Sequence, residues 1–233
     1  MSIIKRILGW CRNIFLFLLL FSMLAVFILR FVPVYYTPLM VIRVFEQVKE
    51  KKKIRLQHKW VSVSKIAQPL IQAVVASEDN LFQEHNGFDL AQIEKARNEA
   101  EAGKRVRGAS TISQQTAKNV FLWPGKTYIR KGLEVYFTLL IELFWSKERI
   151  MEVYLNSIEM GNGVYGAEAV AEAHFRKHAY ELTKEEAALI AATLPNPRKF
   201  NSANPSDYML RRQSQIMSLM NKLLKIDMGY EQL

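Results

Sequence analysis

Gly108-Ala109-Ser110-Thr111-Ile112-Ser113-Gln114-Gln115-Thr116-Ala117-Lys118-Asn119 reads as the start of a helix. Thr111 has the side chain of an N-cap and Gln114 stands at the third helical position, so the two form a capping box that satisfies two of the orphan amides. Lys104, Arg105 and Arg107 precede this start and Lys118 follows it. The positive end of the helix dipole therefore lies in a cationic collar, the arrangement that receives a phosphate or pyrophosphate. The plainer alternative is an ordinary capped helix beside a solvated basic loop. Outward from this stretch the periodicity stays helical on both sides, so its reading sets an α-rich fold.

The 233 residues, half of them hydrophobic, are enough for one membrane segment and one domain with a sizeable core. Two full domains would be crowded. A net charge of +10 favours an anionic partner, whether nucleic acid, an anionic membrane surface or a phosphorylated substrate, without choosing among them. The single cysteine, Cys11, lies at the membrane end, so the rest of the chain has no thiol to oxidise or to ligate metal.

Ile14 to Leu29 is apolar apart from Ser22 and, with Phe31 and Val32, is long enough to cross a hydrocarbon core of ~30 Å. Lys5, Arg6 and Arg12 on its N-terminal side place the N-terminus in the cytoplasm and the rest outside. A cleaved signal peptide is the alternative, but no small-x-small site follows the run. Tyr35 and Tyr36 fall at the interfacial belt. The stretch from Pro38 to Lys59 is amphipathic and carries Lys49, Lys51, Lys52, Lys53 and Arg55, either a collar for anionic headgroups or a solvated linker. The expected divisions are an anchor over residues 1–33, a basic juxtamembrane linker over 34–59 and a helical domain over 60–233.

Within that domain Trp60 to Val63 is the one short alternating run. The first helix, from about Ser64 or Pro69, ends in Glu78 and Asp79, two acids that oppose the helix dipole and so are poorly placed for stability. Glu78 follows an apolar lead-in and precedes Phe82, a setting that raises a carboxyl pKa and suits a general acid or base; a frayed, solvated end is the alternative. His85 either positions Glu78 or caps its loop. Val120 to Gly125 is apolar bulk beside breakers, tucked into the core or dipping into lipid. Thr127 to Trp145 is hydrophobic almost all round and is expected to be central, yet carries Arg130, Lys131, Glu134 and Glu142. Arg130 and Glu134, four apart, are a structural pair or part of a site, whereas Glu142 reads as structural. The three glycines of Gly161 to Gly166 suit tight turns or a ligand. His174 and His178 have the spacing of metal ligands on a helix, but an exposed helix face is the better reading. Arg211 and Arg212 open onto a last amphipathic helix, as a solvated face or as anion binders.

The succession Glu78-Asp79-x-x-Phe82-x-x-His85-x-Gly87, Gly108-x-Ser110-Thr111-x-x-x-Gln115-x-x-Lys118-Asn119, Arg130-Lys131-x-x-Glu134, Ile150-x-Glu152-x-Tyr154-x-Asn156 and Arg211-Arg212 resembles the five ordered motifs of the peptidoglycan glycosyltransferases. The resemblance covers about residues 60 to 220. The last motif departs slightly, with Gln213-Ser214-Gln215 before Ile216. No penicillin-binding domain follows the motifs, so the monofunctional branch of the family is the expectation.

The resemblance implies a mainly α, lysozyme-like domain behind a single N-terminal transmembrane helix. It also implies glycan polymerisation from a lipid-pyrophosphate donor onto the 4-hydroxyl of lipid II, with inversion to a β-1,4 link. Glu78 is the implied base and Glu134 the second acid of the catalytic pair. Asp79, Phe82, His85, Ser110, Thr111, Gln115, Lys118, Asn119, Arg130 and Lys131 are the implied substrate-binding residues. No tightly bound cofactor or protein-held metal is expected, only a divalent Mg or Mn on the pyrophosphate. The implied partners are lipid II, the growing glycan lipid, the membrane and cell-wall synthesis or division proteins, with no nucleic acid. The catalytic domain is placed outside the plasma membrane. Two rivals stand beside this reading: a muramidase, which needs a carboxylate pair but no pyrophosphate collar, and a membrane-tethered scaffold without catalysis.

Overall fold

A computed structural model describes residues 3–103, 108 and 110–223. Lys104, Arg105 and Arg107, the leading half of the expected collar, lie outside these residues. The chain is mostly helical and lysozyme-like. Its helices are α1 (Ile3–Leu29), α2 (Pro38–Lys49), α3 (Gln68–Glu78), α4 (Leu90–Glu101), α5 (Ile112–Phe121), α6 (Tyr128–Phe144), α7 (Lys147–Ser157), α8 (Ala167–Val170), α9 (Lys184–Thr193) and α10 (Asp207–Lys222). Three short strands, β1 (Gln57–His58), β2 (Glu159–Gly161) and β3 (Val164–Tyr165), complete it.

Two helical layers meet at the core. In the first, α3 lies against α9 and α10; in the second, α5 lies against α6 and α7, with α2 across its outer side. Leu70, Ile71 and Val74 of α3 are fully enclosed, facing the alanines Ala187, Ala188 and Ala191 of α9. Small side chains there let two helix backbones approach closely, so the end of α3 is held rigidly. Ile112 and Ala117 of α5, with Ile150, Met151 and Leu155 of α7, close the second layer.

The short alternating run at Trp60 to Val63 does not form a strand. Its backbone is claimed by side chains instead: Asn156 Oδ1 accepts from Val61 N and Asn156 Nδ2 donates to Val61 O, each at 2.9 Å, while Glu152 Oε1 accepts from Val63 N at 3.1 Å. The sheet forms just before it and in the stretch read as a glycine loop, with strand order β1-β3-β2, β1 parallel and β2 antiparallel to β3. Gly163 makes this closure possible: its φ is +74°, and a Cβ there would stand 2.5 Å from Arg55 O.

α6 is not the central helix its apolar composition predicts. One side packs on α5, but Ile129, Leu139 and Leu143 are exposed, Leu143 at 72%. α1 covers part of the remainder. Ser22 Oγ meets Tyr136 OH at 2.7 Å, and Trp145 Nε1 donates to Val26 O at 2.8 Å. At its C-terminus α1 tightens, with Arg30 N bonded to Phe27 O, and Arg149 donates to Leu29 O at 2.8 Å and to Val32 O at 2.6 Å. A guanidinium thus satisfies carbonyls at the negative end of the helix dipole. α1 is the one described helix long and apolar enough to cross a membrane, consistent with a single-pass anchor.

Candidate active site

The site is built where α3 ends and α5 begins. Thr111 caps α5 with the capping box read from the sequence: its N–H donates to Gln114 Oε1 at 3.0 Å and its Oγ1 accepts from Gln114 N at 3.2 Å. The next amide, Ile112 N, donates to Asp79 Oδ2 at 2.9 Å. The first free amide of this helix start is therefore taken by the chain's own Asp79 and not left for a substrate phosphate. Asp79 closes α3 and stands at the start of α5, so a carboxylate unfavourable to one dipole is favourable to the other.

His85 serves the same joint. Gly87 N donates to His85 Nδ1 at 3.1 Å, which leaves the ring proton of the neutral imidazole on Nε2, 2.9 Å from Asp79 Oδ1. His85 thus positions Asp79, not Glu78. Thr111 Oγ1 donates to Gly87 O at 2.7 Å, and Lys147 Nζ reaches His85 O at 2.5 Å and Glu142 Oε1 at 2.8 Å. Glu142, which also accepts from Ser113 Oγ, is structural as expected. Phe82 is fully buried with Lys147 Nζ 4.7 Å from its ring centroid, so its part is to support this loop from the core rather than to touch a substrate.

Glu78 is free of that joint. Half-buried at the end of α3, it accepts one hydrogen bond among the described residues, from Gln115 Nε2 to its Oε2 at 2.9 Å. Burial pushes its carboxyl pKa up; the Gln115 bond and the charge of Arg212 pull it down, and Asp79 adds to the rise. Tyr154 OH in turn donates to Gln115 Oε1 at 3.3 Å. Burial, then the charges of Glu78 and Asp79, hold the Tyr154 hydroxyl well above its ordinary value, so it remains a donor and turns the Gln115 amide nitrogen toward Glu78.

One helical turn beyond Gln115, Lys118 opens a cationic group. Arg130 Nη1 bonds to Glu134 Oε2 at 2.7 Å and Lys131 Nζ to Glu134 Oε1 at 2.5 Å, leaving Glu134 3% exposed with a cation on each oxygen. Burial lowers the Lys118 pKa; Glu134 opposes this, while Arg130, Lys131 and Arg43 reinforce it. Lys118 nonetheless retains open surface. Arg130 Nε and Asn119 Nδ2 are buried donors with no acceptor among the described residues. Ser110 lies exposed just before α5.

Two contributors are missing from a sequence reading of the site. Arg43 lies in the stretch read as linker, although Thr37 and Pro38 mark a helix start there and Thr37 Oγ1 does cap α2, accepting from Met40 N at 3.3 Å. Tyr154 stands in a quoted motif, but its contact with Gln115 depends on how α7 packs on α5. His174 and His178 do not share one helix face, and each turns to a different partner. A π-helical turn, Ala171–Phe175, ends at Arg176 in the left-handed region; His174 bonds to Ser202 Oγ at 2.7 Å and His178 to Glu168 at 2.8 Å. Glu168, Glu172 and His178 do cluster, but Lys59 Nζ sits 3.3 Å from Glu168 and also pairs with Glu172, so an ammonium meets that charge.

A lightly held carboxylate of raised pKa at the end of α3, with a cationic group one turn along α5 from the glutamine that bonds it, suits group transfer on an anionic substrate. The sequence model of the transglycosylase family matches residues 45–221, and the chain belongs to that family. It is 61% identical to the biosynthetic peptidoglycan transglycosylase of Bacteroides thetaiotaomicron over 95% of this chain and 90% of that one. It is 50% identical to the protein of the same name from Bdellovibrio bacteriovorus over 90% and 84%, and 49% identical to that from Caulobacter vibrioides over 87% and 86%. The activity is that of a peptidoglycan glycosyltransferase in cell-wall synthesis.

Proposed function

We propose that the enzyme transfers a growing glycan, held as a lipid pyrophosphate, to the 4-hydroxyl of lipid II. Glu78 removes the hydroxyl proton as the acceptor oxygen attacks the donor's anomeric carbon. The bond from that carbon to the pyrophosphate breaks, the lipid pyrophosphate leaves with the electron pair, and the configuration inverts to β. A raised carboxyl pKa makes Glu78 a stronger base than an ordinary carboxylate. A pyrophosphate departs without a proton, so the other need is positive charge, which Lys118, Arg130 and Lys131 supply. Glu134 holds Arg130 and Lys131 in place. A divalent Mg or Mn belongs to the substrate's pyrophosphate in this scheme.

The observation that carries the reading is the contrast between the two acids. Among the described residues Glu78 has one neutral hydrogen-bond donor on one oxygen, whereas Glu134 has both oxygens on cations. One proton acceptor beside a cationic group suits transfer from pyrophosphate better than muramidase action, which needs a carboxyl to protonate its leaving group. In this scheme α1 crosses the plasma membrane with the N-terminus cytoplasmic, and the domain meets its lipid-borne substrates outside. The test is polymerisation of lipid II by the purified full chain: glycan polymer lost in Glu78→Gln supports the transferase, and shortening of preformed glycan without new polymer supports the muramidase.

A further inference from the structure

A cavity of about 700 Å³ opens between α2, the segment that follows it, the β2–β3 turn and the loop after α9. Basic side chains outnumber acidic ones on its wall. Two of the acids are already paired, Glu46 with Arg43 at 2.6 Å and Glu50 with Lys52 at 2.6 Å. Arg55 and Lys199 have no carboxylate within ion-pair distance among the described residues, and Arg198 stands 4.0 Å from Glu46. The amides of Asn162 and Asn196 also line it.

The wall is built rather than incidental. Gln47 clamps the backbone of Arg55, accepting from Arg55 N at 2.6 Å and donating to Arg55 O at 3.2 Å. The Gly163 contact fixes the same residue from the other side. Glu159, 6% exposed, accepts from Gly163 N at 3.1 Å, and its second oxygen lies 3.9 Å from Arg43 Nε, a buried donor without a hydrogen-bond partner. α2, which carries Arg43, packs on α5, which carries Lys118. The cavity wall thus shares α2 with the layer that holds Lys118.

Its chemistry selects an occupant. Free guanidinium and ammonium groups call for carboxylates, and a bare sugar would leave them unmatched. Three acids on the wall disfavour a phosphate dianion. Amide side chains and a buried carboxylate acceptor match peptide N–H and C=O groups. Peptidoglycan is a glycan that carries peptides, and the polymer's carboxylates are on those peptides. We propose that this cavity is a subsite for a carboxylate-bearing peptide of the glycan substrate, read by Arg55, Arg198 and Lys199. The inference rests on the proposed function for the identity of the glycan.

The test uses the full chain in nanodiscs of zwitterionic lipid and measures binding without turnover. The probes are a soluble reduced disaccharide-peptide and the same disaccharide with its peptide removed. The intact protein should prefer the first, and Arg198→Ala/Lys199→Ala should weaken its binding by about tenfold or more while leaving the second unchanged. In polymerisation assays the double variant should raise KM with kcat kept for a peptide-bearing donor and behave normally on a peptide-free one. Equal affinity for both probes in the intact protein, or unchanged binding in the folded variant, overturns the subsite. Loss of binding to vesicles containing phosphatidylglycerol with peptide binding retained also overturns it, in favour of a headgroup site. Peptide-selective binding by a chain that makes no polymer would instead strike the proposed function and leave the subsite standing.

Discussion

Gln115 Nε2 lies 2.9 Å from Glu78 Oε2, and this is the one side-chain hydrogen bond that the described residues give the carboxylate. A base must release its solvation as it takes a proton, and a single neutral donor stabilises the ionised form less than a cation would. Burial outweighs it, so ionised Glu78 is carried in the folded chain at a cost. Its folded pKa lies above the unfolded value: the resulting stability is fully present below the unfolded pKa and is lost as pH rises through the folded one. Glu78→Gln should therefore lower turnover by about 10²-fold or more while leaving Tm at neutral pH unchanged or raised. The acid limb of kcat/KM should lie above the ordinary carboxylate range. A variant that unfolds more easily at pH 7, or a rate flat with pH through that range, contradicts the assignment.

Tyr154→Phe keeps the ring that fills the core and removes only the hydroxyl that orients Gln115. At 3.3 Å the lost bond contributes about 1 kcal/mol. With Gln115 free to rotate, its carbonyl can face Glu78, so kcat should fall several-fold with KM nearly constant, and the acid limb should move. A purely structural role would lower Tm without moving that limb.

The helical fold and the acids at the end of α3 are legible because periodicity, caps and dipole rules are local. Thr111 and Gln114 form the box their spacing predicts. The fate of the remaining amides is not legible, because Asp79 reaches Ile112 across 33 positions and only packing brings α3 to α5. Composition likewise misplaces α6: apolar residues all round read as core, but a helix beside an anchor can leave Leu139 and Leu143 exposed. Arg43 stays hidden because a basic amphipathic stretch after an anchor looks the same whether it is a linker or folds back onto α5.

Asp79→Ala tests the joint between the helices. It removes the acceptor of Ile112 N and of His85 Nε2, both around buried carboxylate oxygens, and charge-assisted bonds of this kind contribute about 1.5–3 kcal/mol. Stability should fall by that order in chemical denaturation. Binding of a pyrophosphate-bearing donor mimic should follow stability, not the charge of residue 79, so Asp79→Asn should bind nearly as the intact chain does. A gain in mimic affinity on removing the charge would show that the helix start takes the substrate's phosphate after all.

Deleting residues 1–33 would strip Val26 and Leu29 from Trp145 and Arg149 and leave Tyr136 without Ser22. The helical domain should still form, since its layers pack through α3 on α9 and α10 and through α5 on α6 and α7, while α1 packs mainly on α6. The newly bare face of α6, together with Trp123 at 45% exposure, should make the truncated domain bind liposomes or self-associate. Flotation with liposomes and sedimentation measure this. A monomeric truncation that ignores liposomes and polymerises lipid II as fast as the full chain would remove any role for α1 and α6 at the membrane.

Glu134 and Lys118 should separate under mutation. Glu134→Gln leaves Arg130 buried without its counter-charge, and breaking such a pair costs about 3–5 kcal/mol, so its first effect should be on Tm. Lys118 carries no such duty at its exposed tip, so Lys118→Ala should keep Tm and lose affinity for the pyrophosphate mimic together with rate. pH gives the sharper distinction. Burial and three neighbouring cations lower the Lys118 pKa, so mimic binding in the intact chain should weaken with rising pH earlier than a free lysine would allow. In Lys118→Ala that early alkaline loss should disappear, because the ammonium with the lowered pKa is gone. Titration of mimic affinity from pH 7 to 11 decides it: an identical alkaline limb in both proteins would mean that another group, not Lys118, holds the pyrophosphate.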